Sequence, residues 1–437
     1  MNPSLLVPVQ KTLESEDPED RFAGFFEGGP RPSIEKGGLL DTPAAHAWLE
    51  LIERVSQEGR YTFQAPLQQR SGPRVRVDDR DMLMMSAYDY LGLIGHPDIE
   101  GAALRAVERY GTGTGGVRLL TGTTELHRRL EDRLAEFKGT EAAVTFSSGY
   151  MAVLGLMTAL FGPRDRVLLD DRAHRSVLDA CVLARVPFRR FRHNDPDALE
   201  AELARGSKSR RTLIFAEGVY SMDGDLCPLP AFVELKKRYG AFLLVDGAHS
   251  FGVLGDGGRG IDEHWGLPAS EGDIWIGSLS KAIPSNGGFI AGRREMVIYL
   301  QHGAAPFMFS AALCPAAAAA VLESLAVIDR EPERLIRLRR NSDYLRQGLN
   351  ELGYDVGTSE SPVIPVILGE LDPAVRLAHE LFRRGIVTAA AVPPAVAKGA
   401  ARLRLCATAA HSIADLDEAL GAFAELAPRL DRLPTVA

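Results

Sequence analysis

From residue 142 onward, short apolar runs alternate with longer amphipathic ones. The runs are Ala142–Phe146, Arg166–Asp170, Phe188–Arg192, Thr212–Glu217, Phe242–Asp246, Ile274–Ser278 and Gly288–Ala291. Several are unbroken stretches of Val, Ile, Leu and Phe with no polar alternation, the pattern of strands covered on both faces. Seven such strands, mostly separated by helical segments, predict an α/β architecture with a largely parallel sheet and helices on both sides. Upstream, helices are expected over Asp98–Tyr110 and Thr123–Lys138, the second keeping Leu126, Leu130, Leu134 and Phe137 on one face. Residues 1–80 read as irregular around one helix, Thr42–Glu58. Beyond about residue 325 the texture changes to a charged helix (Glu331–Leu352), short strands and a closing helix (Ile413–Glu425), a smaller α+β unit. The expected division is an N-terminal segment 1–85, a large unit 86–325 and a small C-terminal unit 326–437.

Composition narrows the function. Fifty basic against 58 acidic residues give a net charge of −8, so no global field draws nucleic acid or an anionic membrane. The longest apolar stretch, Ala311–Leu322, is mostly alanine and holds Pro315, too short and too weak for a membrane span of about 20 residues. Cys181, Cys227, Cys314 and Cys406 lie far apart with no CxxC, so neither a disulfide framework nor a metal site is expected, and a reducing cytoplasm is the expected setting.

In a parallel α/β sheet, ligands bind at the carboxyl ends of the strands. Asp170, Glu217, Asp246 and Ser278 each end a run there. Gly111–Gly116 formally satisfies GxGxxG, but a helix precedes it where dinucleotide binding needs a strand. Phe146-Ser147-Ser148-Gly149-Tyr150 is a strand, a turn and a helix start, whose free amides suit a phosphate. Asp246 closes a buried run, with His249 three residues on, and Lys281 follows another run. A lysine at the mouth of such a sheet is a candidate Schiff-base former. An aspartate beside it can keep a pyridine nitrogen protonated, making the ring an electron sink.

Those residues, taken in order, resemble the α-oxoamine synthases, a branch of the fold-type I pyridoxal phosphate enzymes. The resemblance runs from about Ser86 to His411. It is carried by Asp89-Tyr90-Leu91-Gly92, Arg118-Leu119-Leu120-Thr121-Gly122-Thr123, Ser148-Gly149-Tyr150, Asp171-Arg172-Ala173-His174, Glu217–Asp225, Val245–Gly260, Gly277–Lys281 and Arg402-Leu403-Arg404. It implies a fold-type I transferase with a mostly parallel seven-stranded sheet and a smaller C-terminal domain. It further implies that Lys281 carries pyridoxal 5'-phosphate, Asp246 pairs with the ring nitrogen, His249 contacts the ring oxygen and His174 stacks on the ring. Gly149 and Tyr150 would supply phosphate-turn amides, and Ser221 and Ser278 hydroxyls lining the cofactor. Ser310 would reach the partner subunit's phosphate, which implies a homodimer. Arg404 would bind the amino acid carboxylate. Tyr88 stands where many relatives have asparagine, as in the serine palmitoyltransferase branch. The implied reaction joins an amino acid to an acyl thioester, on CoA or an acyl carrier protein, with loss of carbon dioxide. Other readings are a different fold-type I reaction, transamination or retro-aldol cleavage, and a catalytically silent partner subunit.

Overall fold

The computed structural model describes residues 38–205, 209–393 and 395–427. The first 37 residues of the N-terminal segment and the last ten of the chain lie outside the described residues. The first described helix, Pro43–Gln57, starts where Thr42 accepts the Ala45 N–H at 3.2 Å. Strands β1 (Arg74–Val77) and β2 (Arg80–Met84) then form a hairpin. Residues 1–80 were expected to be irregular apart from one helix, and here that expectation fails. Val75 and Val77 alternate with arginines, and Asp78 and Asp79 take the positive φ (48° and 58°) that a two-residue hairpin turn requires.

The large sheet holds β3 (Ala142–Phe146), β4 (Arg166–Asp170), β5 (Phe188–Phe191), β6 (Thr212–Glu217), β7 (Phe242–Asp246), β8 (Ile274–Ser278) and β9 (Gly288–Gly292). Their order is β3-β9-β8-β7-β6-β4-β5. Only β9 runs against its neighbours. The segment 279–287 joining β8 to β9 is too short for the dozen or so residues of a parallel crossover, so the chain turns back. Alternate residues feed two cores: Val167 and Leu169 pack on one face, Leu168 on the other. This two-sided burial explains the unbroken apolar runs.

The C-terminal strands are β10 (Val363–Gly369), β11 (Ile386–Val387), β12 (Ala389–Ala391) and β13 (Ala401–Cys406). They form the sheet β10-β13-β12, while β11 joins the early hairpin as β1-β2-β11. Leu83 and Met85 accordingly sit in one core with Leu345, Leu403, Leu405 and Phe423. No helix among the described residues is long and apolar enough to cross a membrane.

A buried ion pair anchors the glycine-rich loop after helix Pro97–Tyr110. Both terminal nitrogens of Arg118 bond Glu131, at 2.8 and 3.0 Å, and one also reaches Thr145 Oγ1 at 2.8 Å. Both side chains are almost completely buried. Arg118→Met leaves the Glu131 carboxylate short of its main counter-charge. Denaturant unfolding is expected to show a loss of about 3 kcal/mol, against little change for an exposed pair such as Arg70–Glu100.

Candidate active site

The polar residues converge at the carboxyl ends of β6, β7 and β8. Asp246 is buried at the end of β7, and one of its oxygens accepts the Ala248 N–H at 2.9 Å. Glu217 is its register partner on β6 and is also buried. Burial first, and then Asp246, hold the Glu217 carboxyl well above the usual range. Asp246 is also raised by burial, but the Ala248 N–H, His174 and Lys281 oppose this. Two adjacent carboxyls cannot both ionise cheaply, so Glu217 is the neutral member and Asp246 the charged one.

Lys281 stands just past β8. Its amine makes no hydrogen bond or ion pair among the described residues. Burial lowers its pKa against the pull of Asp246, and Arg404 lowers it further. An amine that sheds its proton readily is a nucleophile toward a carbonyl. His174 caps the helix Arg175–Ala184, with Nδ1 at 2.8 Å from Ser176 Oγ. Its backbone N–H donates to Glu217. Desolvation lowers its pKa, opposed by Asp246 and reinforced by Lys281, which favours a neutral ring.

A second group comes from distant parts of the chain. Arg404 on β13 is buried; it donates through Nε to the Ser221 carbonyl, through Nη1 to Cys406 Sγ at 3.2 Å and through Nη2 to the Tyr90 hydroxyl at 3.2 Å. Tyr88 covers the guanidinium, its ring centroid 4.5 Å from Cζ. Three of five N–H groups are thus used. One remains on each terminal nitrogen, the pair a carboxylate takes in bidentate fashion. Tyr90 also lies 2.7 Å from His249 Nδ1. Burial pushes the Tyr90 hydroxyl up and the His249 imidazole well down, so both are neutral. With its oxygen accepting from Arg404, Tyr90 donates to Nδ1 and leaves the His249 proton on Nε2, a donor for a bound ligand.

The turn before helix Gly149–Leu160 completes the cleft. Ser148 accepts the Met151 N–H on its hydroxyl at 3.2 Å and the Ala152 N–H on its carbonyl at 3.0 Å. The N–H groups of Gly149 and Tyr150 have no acceptor among the described residues. Gly288 lets β9 back against this turn, since a Cβ there would lie 2.4 Å from the Gly149 nitrogen. A Cβ on Gly149 would lie 3.6 Å from that of Ser278, so Ser278 stands beside the turn, its hydroxyl 2.9 Å from Ser280 Oγ. These features fit pyridoxal phosphate: an unpartnered buried amine, a buried carboxylate with a free oxygen, and two unspent amides at a helix start.

Most expected site residues therefore meet. Two stand apart: the Tyr150 hydroxyl turns to Asp179, and Ser310 bonds none of the cleft residues within one chain, next to Phe309, which is 80% exposed. Ser221 enters by its carbonyl. Tyr90 and Cys406 were not singled out from sequence as site residues, and Glu217 only as a strand-end carboxylate. The Asp89–Gly92 and Glu217–Asp225 segments were the available signals for Tyr90 and Glu217.

Buried amine, strand-end carboxylate and phosphate turn on this sheet define a fold-type I pyridoxal phosphate enzyme, and residues 80–423 match the family described as aminotransferase class I and II. An 8-amino-7-oxononanoate synthase of Symbiobacterium thermophilum is 41% identical over 383 residues, covering 87% of this chain and 97% of the relative. That of Geobacter sulfurreducens is 42% identical over 381 residues, with the same coverages. Among solved structures, the serine palmitoyltransferase of Sphingomonas wittichii matches with a TM-score of 0.86 at 33% identity, over 91% of this chain and 100% of that one. A variant of the S. paucimobilis enzyme with a bound PLP–myriocin aldimine gives 0.85 at 32%, over 88% and 98%. The chain belongs to the α-oxoamine synthases. It is a pyridoxal phosphate-dependent C-acyltransferase that condenses an amino acid with an acyl thioester and releases carbon dioxide.

Proposed function

We propose that the amino acid is small, alanine or serine, and that Arg404 holds its carboxylate while Lys281 moves the proton at its Cα. The observation that carries this is Arg404 with two N–H groups left and the Tyr88 ring over its face. That ring also meets His249 edge-on, centroids 5.9 Å apart, and narrows the space for a substrate side chain. Bound here, pyridoxal phosphate supplies a carbonyl for amine exchange and a protonated ring that takes up the electron pair left on Cα. Lys281 and Asp246 would hold it, with the Gly149 and Tyr150 amides and the Ser221 and Ser278 hydroxyls around it. His249 would donate to its ring oxygen. Neutral His174 would lie against the ring and exclude water where the thioester arrives. Arg404 would set the carboxylate, and so the bond to be broken, in one orientation, a positioning effect.

The name 8-amino-7-oxononanoate describes a product whose methyl-bearing amino carbon derives from alanine. Identities near 40% to its synthases favour alanine; the serine palmitoyltransferase neighbours keep serine as the second reading. The exposed Phe309 supports a homodimer in which Ser310 completes the other subunit's site. The cofactor unit would be 86–325 and the small unit 326–437, with the 74–84 hairpin built onto the latter. A cytoplasmic location accords with the buried or isolated free cysteines.

Titrating the cofactor-loaded enzyme with single amino acids and following its visible absorbance tests this. Alanine or serine should saturate a spectral change, and added acyl thioester should then release carbon dioxide and free thiol. Stoichiometric amine transfer to the cofactor without any thioester would sink the synthase mechanism.

A further inference from the structure

Arg404 does not set its own pose, because one of its three bonds goes to the backbone of a turn on the large unit. That turn, Val219–Leu226, closes as a small antiparallel bridge. The Tyr220 N–H donates to the Asp225 carbonyl at 3.1 Å, and the Gly224 N–H to the Tyr220 carbonyl at 2.8 Å. Its tip is gripped from β13. Ser221 accepts from Arg404, and Met222 accepts from Arg402 at 3.1 Å. Asp223 takes Arg402 and Arg172, each at 2.6 Å. Gly224 has φ +74°, and a Cβ there would fall 1.9 Å from the Val363 carbonyl, so the turn is pressed against β10.

Its base is held from the other side by one residue. His193 Nδ1 lies 2.8 Å from Asp170 at the end of β4, and Nε2 lies 2.6 Å from Asp225 in the turn. Its ring meets the Tyr220 ring edge-on at 4.5 Å. Asp170, Asp171 and His193 bring possible ligating atoms within 4.8 Å of one another, but both ring nitrogens of His193 are spent on carboxylates, which speaks against a metal.

We infer that His193 is a positioning residue: by tying the Val219–Leu226 turn to the end of β4, it places the Ser221 carbonyl that aims Arg404 at the amino acid carboxylate. The inference rests on the reading of Arg404 given above. Burial alone would lower the His193 pKa, but the hydrogen bonds to Asp170 and Asp225 raise it to about 9, so the ring keeps both protons at neutral pH. No other residue among those described bonds both carboxylates through its side chain; the nearest to doing so is Asn194. That residue meets Asp170 only through its backbone N–H, at 2.8 Å, and Asp225 through its side-chain amide at 3.2 Å.

The test compares His193→Leu, Asp225→Asn and Arg404→Gln in the full-length holoenzyme. For His193→Leu the amino acid KM and the dissociation constant from absorbance titration should both rise about tenfold, with kcat at saturation within threefold of the parent. Asp225→Asn keeps an acceptor of the same shape and should give a smaller shift in the same direction, so the inference stays testable if the leucine variant does not fold. Thermal unfolding of the cofactor-free chains reports the purely structural cost. A lower melting temperature with amino acid KM and dissociation constant unmoved in both variants would overturn the positioning role. Unmoved amino acid binding in Arg404→Gln would instead sink the reading of Arg404 itself.

Discussion

Replacing Lys281 by alanine should lower turnover by about 10⁴-fold, the upper end of what a positioned proton-transfer group contributes, while leaving the fold intact. The side chain has no bond or ion pair to lose among the described residues, so melting of the cofactor-free protein should hardly change. Its low proton affinity comes mainly from burial, and that desolvated amine is what the substitution removes. A cofactor that stays bound after reduction by borohydride in the parent, and washes away in Lys281→Ala, would show the covalent link directly by mass spectrometry. Turnover within tenfold of the parent would mean that another group moves the Cα proton.

Asp246→Asn is the second large loss. The amide keeps the shape and can still accept the Ala248 N–H, but it carries no charge to keep a ring nitrogen protonated. Removing one such electrostatic contact costs on the order of 10² to 10³ in kcat. The neighbouring Glu217 does not compensate, because burial keeps its carboxyl neutral well above the usual range. Absorbance of the loaded variant, stopped-flow turnover and a Glu217→Gln control together check this. A Glu217→Gln variant as slow as Asp246→Asn would mean that the charge lies on the other carboxyl.

The cluster around Asp246 and Lys281 was legible because each part is local. Asp246 and Lys281 each follow a run of buried strand, and Gly149 lies at a strand-to-helix turn, so apolar runs and turn residues mark them. The cluster around Arg404 was only partly legible. Arg404 and Tyr90 stand 314 residues apart, and no short-range pattern says that the guanidinium will meet that hydroxyl, the Cys406 thiol and the Ser221 carbonyl. Only the family resemblance pointed to Arg404. The hairpin β1-β2 was missed for the opposite reason: its alternation is just four residues long, and charged residues fill its exposed face. The reversal of β9 left its trace only in the length of the connection before it.

The candidate site draws on two sheets, and this bears on which residues set the choice of amino acid. The candidate cofactor residues Asp246 and Lys281 stand at the end of the large sheet, whereas Arg404 arrives from β13 and meets that sheet through the Val219–Leu226 turn. On the proposed reading, a substitution at Tyr88 changes which amino acid is accepted while Lys281 and Asp246 stay in place.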